Sequence, residues 1–149
     1  MGIQRVGHVV LKMRDLEEAK RFYGDVLGMT ISSESPVAVF FRFGEYHHDI
    51  GVFKTADDAE LPKEVQVGLL HVALVVDSKQ ALKEIHQRVT DHGVKVEAVF
   101  DHGFTKSIYV YDPNGNAIEI YAEAPDYDWR ENNDFIGYLV PSDIETLTA

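Results

Sequence analysis

The alternation of apolar and polar positions in the first third of the chain predicts one helix and four strands. Residues 6–13 form an apolar, β-branched run that indicates a buried strand. Apolar residues then recur at helical spacing across residues 16–27, between Asp15, which can cap the start of a helix, and Gly28, which can end it. Three strand-like segments follow, at residues 29–33, 37–43 and 48–54. The predicted order of elements is β-α-β-β-β.

The same order of elements recurs in the rest of the chain. Residues 55–67 are polar and acidic, which is typical of a linker or surface loop. An apolar strand at residues 68–76 then precedes a helix that is capped by Asp77 or Ser78 and ended by Gly93. Three further strands are predicted at residues 95–100, 107–111 and 117–123.

The two halves align residue by residue, which indicates an internal repeat. His8 in Gly-His-Val-Val-Leu aligns with His71 in Leu-His-Val-Ala-Leu, and towards the other end Gly51 aligns with Glu119. We therefore predict an α+β fold in which two tandem βαβββ modules form a curved, partly closed mixed β-barrel with the helices outside. The expected single domain divides into a first module, a linker, a second module and a C-terminal extension, at about residues 3–54, 55–67, 68–123 and 124–149.

The composition excludes several classes of protein. The net charge of -11 over 149 residues argues against a nucleic-acid partner and against binding to anionic membranes. The chain has no cysteine, so disulfides, thiolate metal ligands and cysteine nucleophiles are excluded together. No apolar run resembles a signal peptide or is long enough to span a bilayer, and we expect a cytoplasmic location.

The aligned histidines predict a metal site. One histidine in an apolar strand is usually a core residue, but His8 and His71 hold the same position in two copies of one unit. Pseudo-twofold pairing of the modules would bring the two imidazoles together. Glu119 lies on the opposite face of its strand from the neighbouring isoleucines and would point into the same concavity. A carboxylate in the middle of a strand needs such a role, because strands disfavour a charge at a buried position.

Two imidazoles and one carboxylate suit Fe(II) oxygen chemistry, because three coordination positions around the ion remain open. Mn(II), Ni(II) and Zn(II) accept the same ligands, so the ligand set leaves the identity of the metal open. Gly51 stands where a symmetric site would carry a fourth ligand. The predicted site therefore has three protein ligands, which argues against a four-ligand Lewis-acid isomerase.

These motifs resemble those of the vicinal oxygen chelate superfamily, and within it most closely those of the type I extradiol ring-cleavage dioxygenases. The resemblance covers residues 7–121 and is carried by Gly-His-Val-Val-Leu at 7–11, Phe-Tyr and Leu-Gly at 22–28, Tyr-His-His-Asp-Ile at 46–50, Leu-His-Val at 70–72, Asp-His-Gly at 101–103, Ser-Ile-Tyr at 107–109, and Asp-Pro-Asn-Gly-Asn with Glu-Ile-Tyr at 112–121. It implies that His8, His71 and Glu119 bind iron.

The resemblance also implies a second set of functional residues. His48 would stand beside the oxygen site, and His102 and Tyr109 would hydrogen-bond the substrate hydroxyl. The implied reaction inserts dioxygen into a small aromatic diol of the catechol type and cleaves the ring beside the diol. A homo-oligomer is expected by the same analogy. Most relatives carry a second, non-catalytic pair of modules, so this chain resembles a single-domain form, and its loop between His48 and His71 is longer than usual.

Two other interpretations remain open. Another metal-dependent member of the superfamily, such as a glyoxalase-like isomerase or a thiol transferase, would not need the second set of functional residues. A metal-free small-molecule-binding or resistance protein on the same fold would not need the three predicted metal ligands to converge. Metal that stays bound through a chelator-free purification would distinguish a metalloenzyme from a metal-free binder.

Overall fold

The computed structural model describes residues 2–63, 65–131 and 139–149, and its elements divide between two compact units. The first unit is Met1–Val67 together with Asp112–Asn116, and the second is Gly68–Tyr111 together with Ala117–Ala149. Each unit contains one mixed sheet and few helices, which confirms the predicted α+β class. The partly closed barrel stays a prediction.

The first unit contains a four-stranded sheet in the order β1-β4-β3-β2. Its strands are β1 (Val9–Met13), β2 (Thr30–Ser35), β3 (Ala38–Arg42) and β4 (Ile50–Lys54). Strand β1 runs parallel to β4, and the other neighbours are antiparallel. Between β1 and β2 lies the helix α1 (Leu16–Ala19), which continues as a π-helical segment, Lys20–Val26. The Asp15 carboxylate accepts a hydrogen bond from the backbone N–H of Glu17 at 2.7 Å, which confirms the predicted helix cap.

The second unit contains a five-stranded sheet in the order β5-β8-β7-β6-β9. Its elements are β5 (Val72–Val76), α2 (Lys79–Asp91), β6 (Val96–Asp101), β7 (Thr105–Tyr111), β8 (Ala117–Glu123), β9 (Val140–Pro141) and α3 (Ile144–Leu147). Ser78 caps α2 by accepting a hydrogen bond from the backbone N–H of Ala81 at 3.1 Å. No helix in the described part of the chain is both long and apolar enough to cross a membrane.

Strand register confirms the alignment of the two halves. In the first unit Val10 pairs with Gly51 across the parallel strands β1 and β4. In the second unit Ala73 pairs with Glu119 across the parallel strands β5 and β8. The sequence repeat therefore corresponds to the same strand pairing in both sheets, and Glu119 holds the position at which the first sheet carries a glycine.

Several predicted boundaries and burial patterns were wrong. The strand predicted at residues 48–54 begins only at Ile50, so the preceding histidines lie in a loop. The apolar run at 6–13 was predicted as a buried strand, but β1 is an edge strand within its sheet, as is β5. An edge strand packs its apolar residues on one face only, and Val10 and Val75 are accordingly 47% and 59% exposed.

A buried carboxylate holds the turn at 112–116 within the first unit. The Tyr23 hydroxyl donates to Asp112 Oδ2 at 2.9 Å, and the Asn116 side-chain amide donates to the same oxygen at 2.8 Å. The backbone N–H groups of Asn114 and Asn116 each donate to Oδ1 at 2.9 Å. Burial, and then the charge of Asp112, raise the pKa of Tyr23 well above its ordinary value, so this phenol stays protonated and remains a donor.

Candidate active site

The second sheet has one apolar and one polar face. Ile108, Val110, Ile118 and Ile120 are buried, and α2 contacts the strands that carry them. On the opposite face Tyr109 of β7 pairs directly with Glu119 of β8. The predicted position of Glu119, on the other face from its isoleucine neighbours, follows from the alternation of side chains along a strand.

His71 and Glu119 meet on this polar face. His71 immediately precedes β5, and its Nε2 lies 3.0 Å from Glu119 Oε2. Glu119 as a whole is 9% exposed. The basic side chains beside its carboxylate in the described part of the chain are His71 and His102, and not lysine or arginine.

This pair fits the donor chemistry of a divalent transition metal. Imidazole nitrogen and carboxylate oxygen are ligands that Fe(II), Mn(II), Ni(II) and Zn(II) accept. A buried carboxylate without a lysine or arginine partner is costly unless another cation shares it. His71 and Glu119 are two of the three residues that the sequence predicts as ligands, and their role as ligands stays a prediction. In the described part of the chain, no group of three or more His, Cys, Asp or Glu side chains is arranged to hold a metal ion.

His102 and Tyr109 lie beside the same carboxylate. The distance from His102 Nε2 to the Tyr109 hydroxyl is 3.0 Å, and the distance from the same nitrogen to Glu119 Oε1 is 3.7 Å. Burial, and then the hydrogen bond and charge of Glu119, raise the pKa of Tyr109, while the Ser107 hydroxyl opposes this shift. Tyr109 is therefore held as a neutral phenol that can donate a hydrogen bond.

A tight turn between β6 and β7 positions His102. The His102 backbone N–H donates to the Thr105 carbonyl at 3.0 Å, and Gly103 adopts a φ of +81°, which favours glycine. Asp101 Oδ1 accepts from the Gly103 backbone N–H at 2.7 Å and from Lys106 Nζ. Burial opposes ionisation of Asp101, but the bonds from Lys106 and Gly103 outweigh it and lower the pKa of this carboxyl.

The first unit carries a separate group of histidines. The ring centroids of His8 and His48 are 4.4 Å apart, and His48 is also 4.4 Å from His47 and 5.0 Å from Phe40. His47 Nδ1 lies 2.6 Å from His48 Nδ1, so one of these nitrogens must donate and the other accept. Partial burial, and then the charges of His47 and His8, lower the pKa of His48 and favour its neutral form.

The structure thus brings the predicted site residues together in two groups. His71, Glu119, His102 and Tyr109 form one group in the second unit. His8 and His48 form the other in the first unit. The joining of His8 to the pair formed by His71 and Glu119 stays a prediction.

Sequence reasoning missed two residues that border the second group. Ser107 is fully buried, and its hydroxyl has no partner with good hydrogen-bond geometry among the described residues, although it is close enough to influence the pKa of Tyr109. Phe100 lies with its ring centroid 5.8 Å from that of Tyr109 and 6.1 Å from that of His102. The period of two along β7 places Ser107 on the face of Tyr109 and could have identified it.

Comparison with known proteins assigns the family. Residues 5–120 match the family described as the Glyoxalase/Bleomycin resistance protein/Dioxygenase superfamily, and the chain belongs to this superfamily. The chain is 31% identical over 118 residues to biphenyl-2,3-diol 1,2-dioxygenase 3 of Rhodococcus globerulus, and the match covers 78% of this chain and 62% of the relative. It is 27% identical over 145 residues to catechol-2,3-dioxygenase of Bacillus subtilis (strain 168), with 95% and 50% of the two chains covered.

The chain therefore spans about half to three-fifths of the length of these two relatives. Among solved structures, a glyoxalase/dioxygenase from Nostoc punctiforme has a similar fold, with a TM-score of 0.69 at 19% identity over 81% of this chain and 92% of the other. At that identity the similarity concerns the fold alone.

Proposed function

We propose that this protein is a metal-dependent extradiol dioxygenase, which inserts dioxygen into a catechol-type diol and cleaves the ring beside the diol. The observation that carries the proposal is the convergence of four side chains on one sheet face. His71 lies 3.0 Å from Glu119, and His102 lies 3.7 Å from the same carboxylate. His102 also lies 3.0 Å from the Tyr109 hydroxyl. The similarity to two relatives named as dioxygenases of aromatic diols supports it. An isomerase, a thiol transferase or a metal-free binder would not need the contact between His102 and Tyr109.

We assign His71 and Glu119 as metal ligands, with His8 as the third ligand that the internal repeat predicts. Fe(II) is the proposed metal, and Mn(II), Ni(II) and Zn(II) are compatible with the same donor atoms. When bound, the metal would lower the pKa of the diol hydroxyls and hold the diol and dioxygen in neighbouring positions.

His102 and Tyr109 would orient the diol. The raised pKa of Tyr109 keeps its proton in place, so its hydroxyl can donate a hydrogen bond to a diol oxygen that becomes negative. His102 lies 3.0 Å from that hydroxyl and fixes its direction. Both side chains also lie beside Glu119, so the groups that orient the diol would be next to the residue that is proposed to hold the metal.

His48, which the resemblance places beside the oxygen site, would act as an acid–base group. Its lowered pKa favours the neutral imidazole, which can accept a proton from a diol hydroxyl and later return it.

The homo-oligomer, the partly closed barrel and the cytoplasmic location belong to the same proposal. Light scattering of the purified protein tests the homo-oligomer directly.

Anaerobic reconstitution with Fe(II), followed by oxygen uptake with unsubstituted, alkyl- and aryl-catechols, tests the proposed reaction. The expected result is stoichiometric uptake and a yellow ring-fission product, both lost in Glu119→Ala and reduced in Tyr109→Phe. Tyr111→Phe is the matched control, because Tyr111 lies on the same strand and is 51% exposed. Absence of uptake with every catechol, despite bound metal, would contradict the proposal.

A further inference from the structure

The C-terminal extension contacts the turn that carries His102 from two sides. We call this turn with its flanking residues, 99–105, the His102 hairpin. On one side β9 pairs with the end of β6, where Pro141 is opposite Phe100 and Val140 is opposite Asp101. The Ser142 backbone N–H then donates to the Val99 carbonyl at 3.0 Å. Asp101, the residue before His102, therefore pairs with β7 on one side and with β9 on the other.

The beginning of the extension holds the other side of the His102 hairpin. The Ala124 backbone N–H donates to the Phe104 carbonyl at 2.7 Å. The Tyr127 ring centroid lies 6.4 Å from that of Phe104, and a Cβ added at Gly103 would lie 3.7 Å from Tyr127 Cε2. Tyr127 therefore packs directly against the two residues that follow His102.

The far end of the extension is fixed to α2. Leu147 of α3 is only 3% exposed. Glu145 forms an ion pair with Lys83, and Lys79 Nζ donates to the carbonyl of Ala149 at 3.1 Å. Because α3 follows β9 almost directly, docking of α3 on α2 keeps β9 paired with β6.

We propose that the C-terminal extension is a positioning element for His102, in which β9 and Tyr127 hold the His102 hairpin so that the imidazole stays against Tyr109. The role of His102 toward a diol rests on the proposed function, but the mechanical coupling does not. Without β9, β6 would be an edge strand with unpaired backbone groups, and such hairpin ends open at low free-energy cost. A misplacement of about 1 Å at a substrate-orienting group can reduce the rate by roughly a hundredfold.

Hydrogen exchange and kinetics on the full chain test this coupling. Leu147→Ala should loosen α3 and β9, and Leu139→Ala is the matched control, since Leu139 is 55% exposed in the same extension. We expect exchange at the backbone amides of residues 100–105 to rise by roughly tenfold in Leu147→Ala and to stay unchanged in the control. In the Fe(II)-loaded protein kcat should fall while metal affinity is retained.

Tyr127→Ala provides a second variant if Leu147→Ala does not fold, and it should raise exchange at the Ala124 amide, which donates to the Phe104 carbonyl. Unchanged exchange in the His102 hairpin, when the amides of α3 themselves exchange faster, would overturn the proposal. In a variant that stays folded, a parallel loss of metal affinity and kcat would also overturn it, because the effect would then not be specific to the His102 hairpin. If the parent protein takes up no oxygen with any catechol, the proposed function fails while the exchange measurement still decides the coupling.

Discussion

His71 Nε2 lies 3.0 Å from Glu119 Oε2 on the polar face of the second sheet. The pair links the residue just before β5 to the middle of β8, two strands that run parallel and are neighbours in the sheet. The same carboxylate faces Tyr109 across the β7–β8 pair and lies 3.7 Å from His102. One buried carboxylate therefore organises every predicted site residue of the second unit, and its substitution is the first test of the site.

Replacement of Glu119 by glutamine should abolish tight metal binding. The substitution keeps the size of the side chain but removes its negative charge, which attracts the divalent cation. We therefore expect the affinity for Fe(II) to fall by roughly a factor of ten to a hundred. Glu123→Gln is the matched control, because Glu123 is an exposed residue on the same strand. Anaerobic metal titration measures both, and equal affinities in the two variants would contradict the assignment of Glu119 as a ligand.

Replacement of Tyr109 by phenylalanine should impair turnover without loss of metal. We expect kcat/KM with catechol to fall by roughly a factor of ten to a hundred, because one hydrogen bond to a developing negative charge is removed. Since burial and Glu119 raise the pKa of Tyr109, the advantage of the parent over the variant should persist up to the ordinary tyrosine pKa of 10.0. An advantage that disappears well below that pH would show that Tyr109 ionises and is not the donor.

The ionisation of Asp101 should make the free energy of unfolding depend on pH in the acid range. Its pKa in the folded state lies below the ordinary value of 3.8, so its ionised form stabilises the fold above that pH. The contribution should be lost as the pH falls through the lower folded-state pKa. The difference in free energy of unfolding between the parent and Asp101→Asn should therefore be constant near neutral pH and shrink between about pH 5 and pH 2.

Asp126→Asn is the control for that measurement, because it removes an exposed carboxylate outside the His102 hairpin. Urea denaturation over the acid range provides the free energies. A difference between the parent and Asp101→Asn that grows as the pH falls would have the wrong sign for a depressed pKa.

Replacement of Tyr23 by phenylalanine should destabilise the protein by about 2 kcal/mol, a magnitude that is typical for a buried hydrogen bond to a charged group. The substitution removes the donor at 2.9 Å from Asp112 Oδ2, while the Asn116 side-chain amide still donates to that oxygen. Tyr46→Phe is the control, since Tyr46 is 50% exposed and should change stability by less than about 0.5 kcal/mol. Chemical denaturation that finds the two variants equally stable would contradict the structural role of the Asp112 network.

The internal repeat made the second sheet predictable from sequence. Alternation along β7 and β8 placed Tyr109 and Glu119 on one face. The aligned histidines were predicted inside the first strands, and each lies one residue before its strand. These features are local and periodic, so they are visible in a single sequence. The correspondence of Gly51 with Glu119 followed from the same periodicity.

Other features depend on contacts between distant residues, and the sequence did not reveal them. The Tyr23–Asp112 hydrogen bond joins residues 89 positions apart, and no local pattern predicts such a pair. The pairing of β9 with β6 was missed because a strand of two residues, Val140–Pro141, is too short for a periodic signal. The sequence of residues 134–140 fits a short strand or a turn. Val140 begins β9, and residues 134–138 lie outside the described residues.

The most direct test of the proposed reaction is the mass of the product formed from catechol under isotopically labelled dioxygen. The Fe(II)-loaded protein should give a ring-opened product that carries both labelled oxygen atoms before any exchange with water. The Glu119→Gln variant should give none. A product without label, or a quinone formed together with peroxide, would contradict the assignment of this site as a ring-cleaving dioxygenase centre.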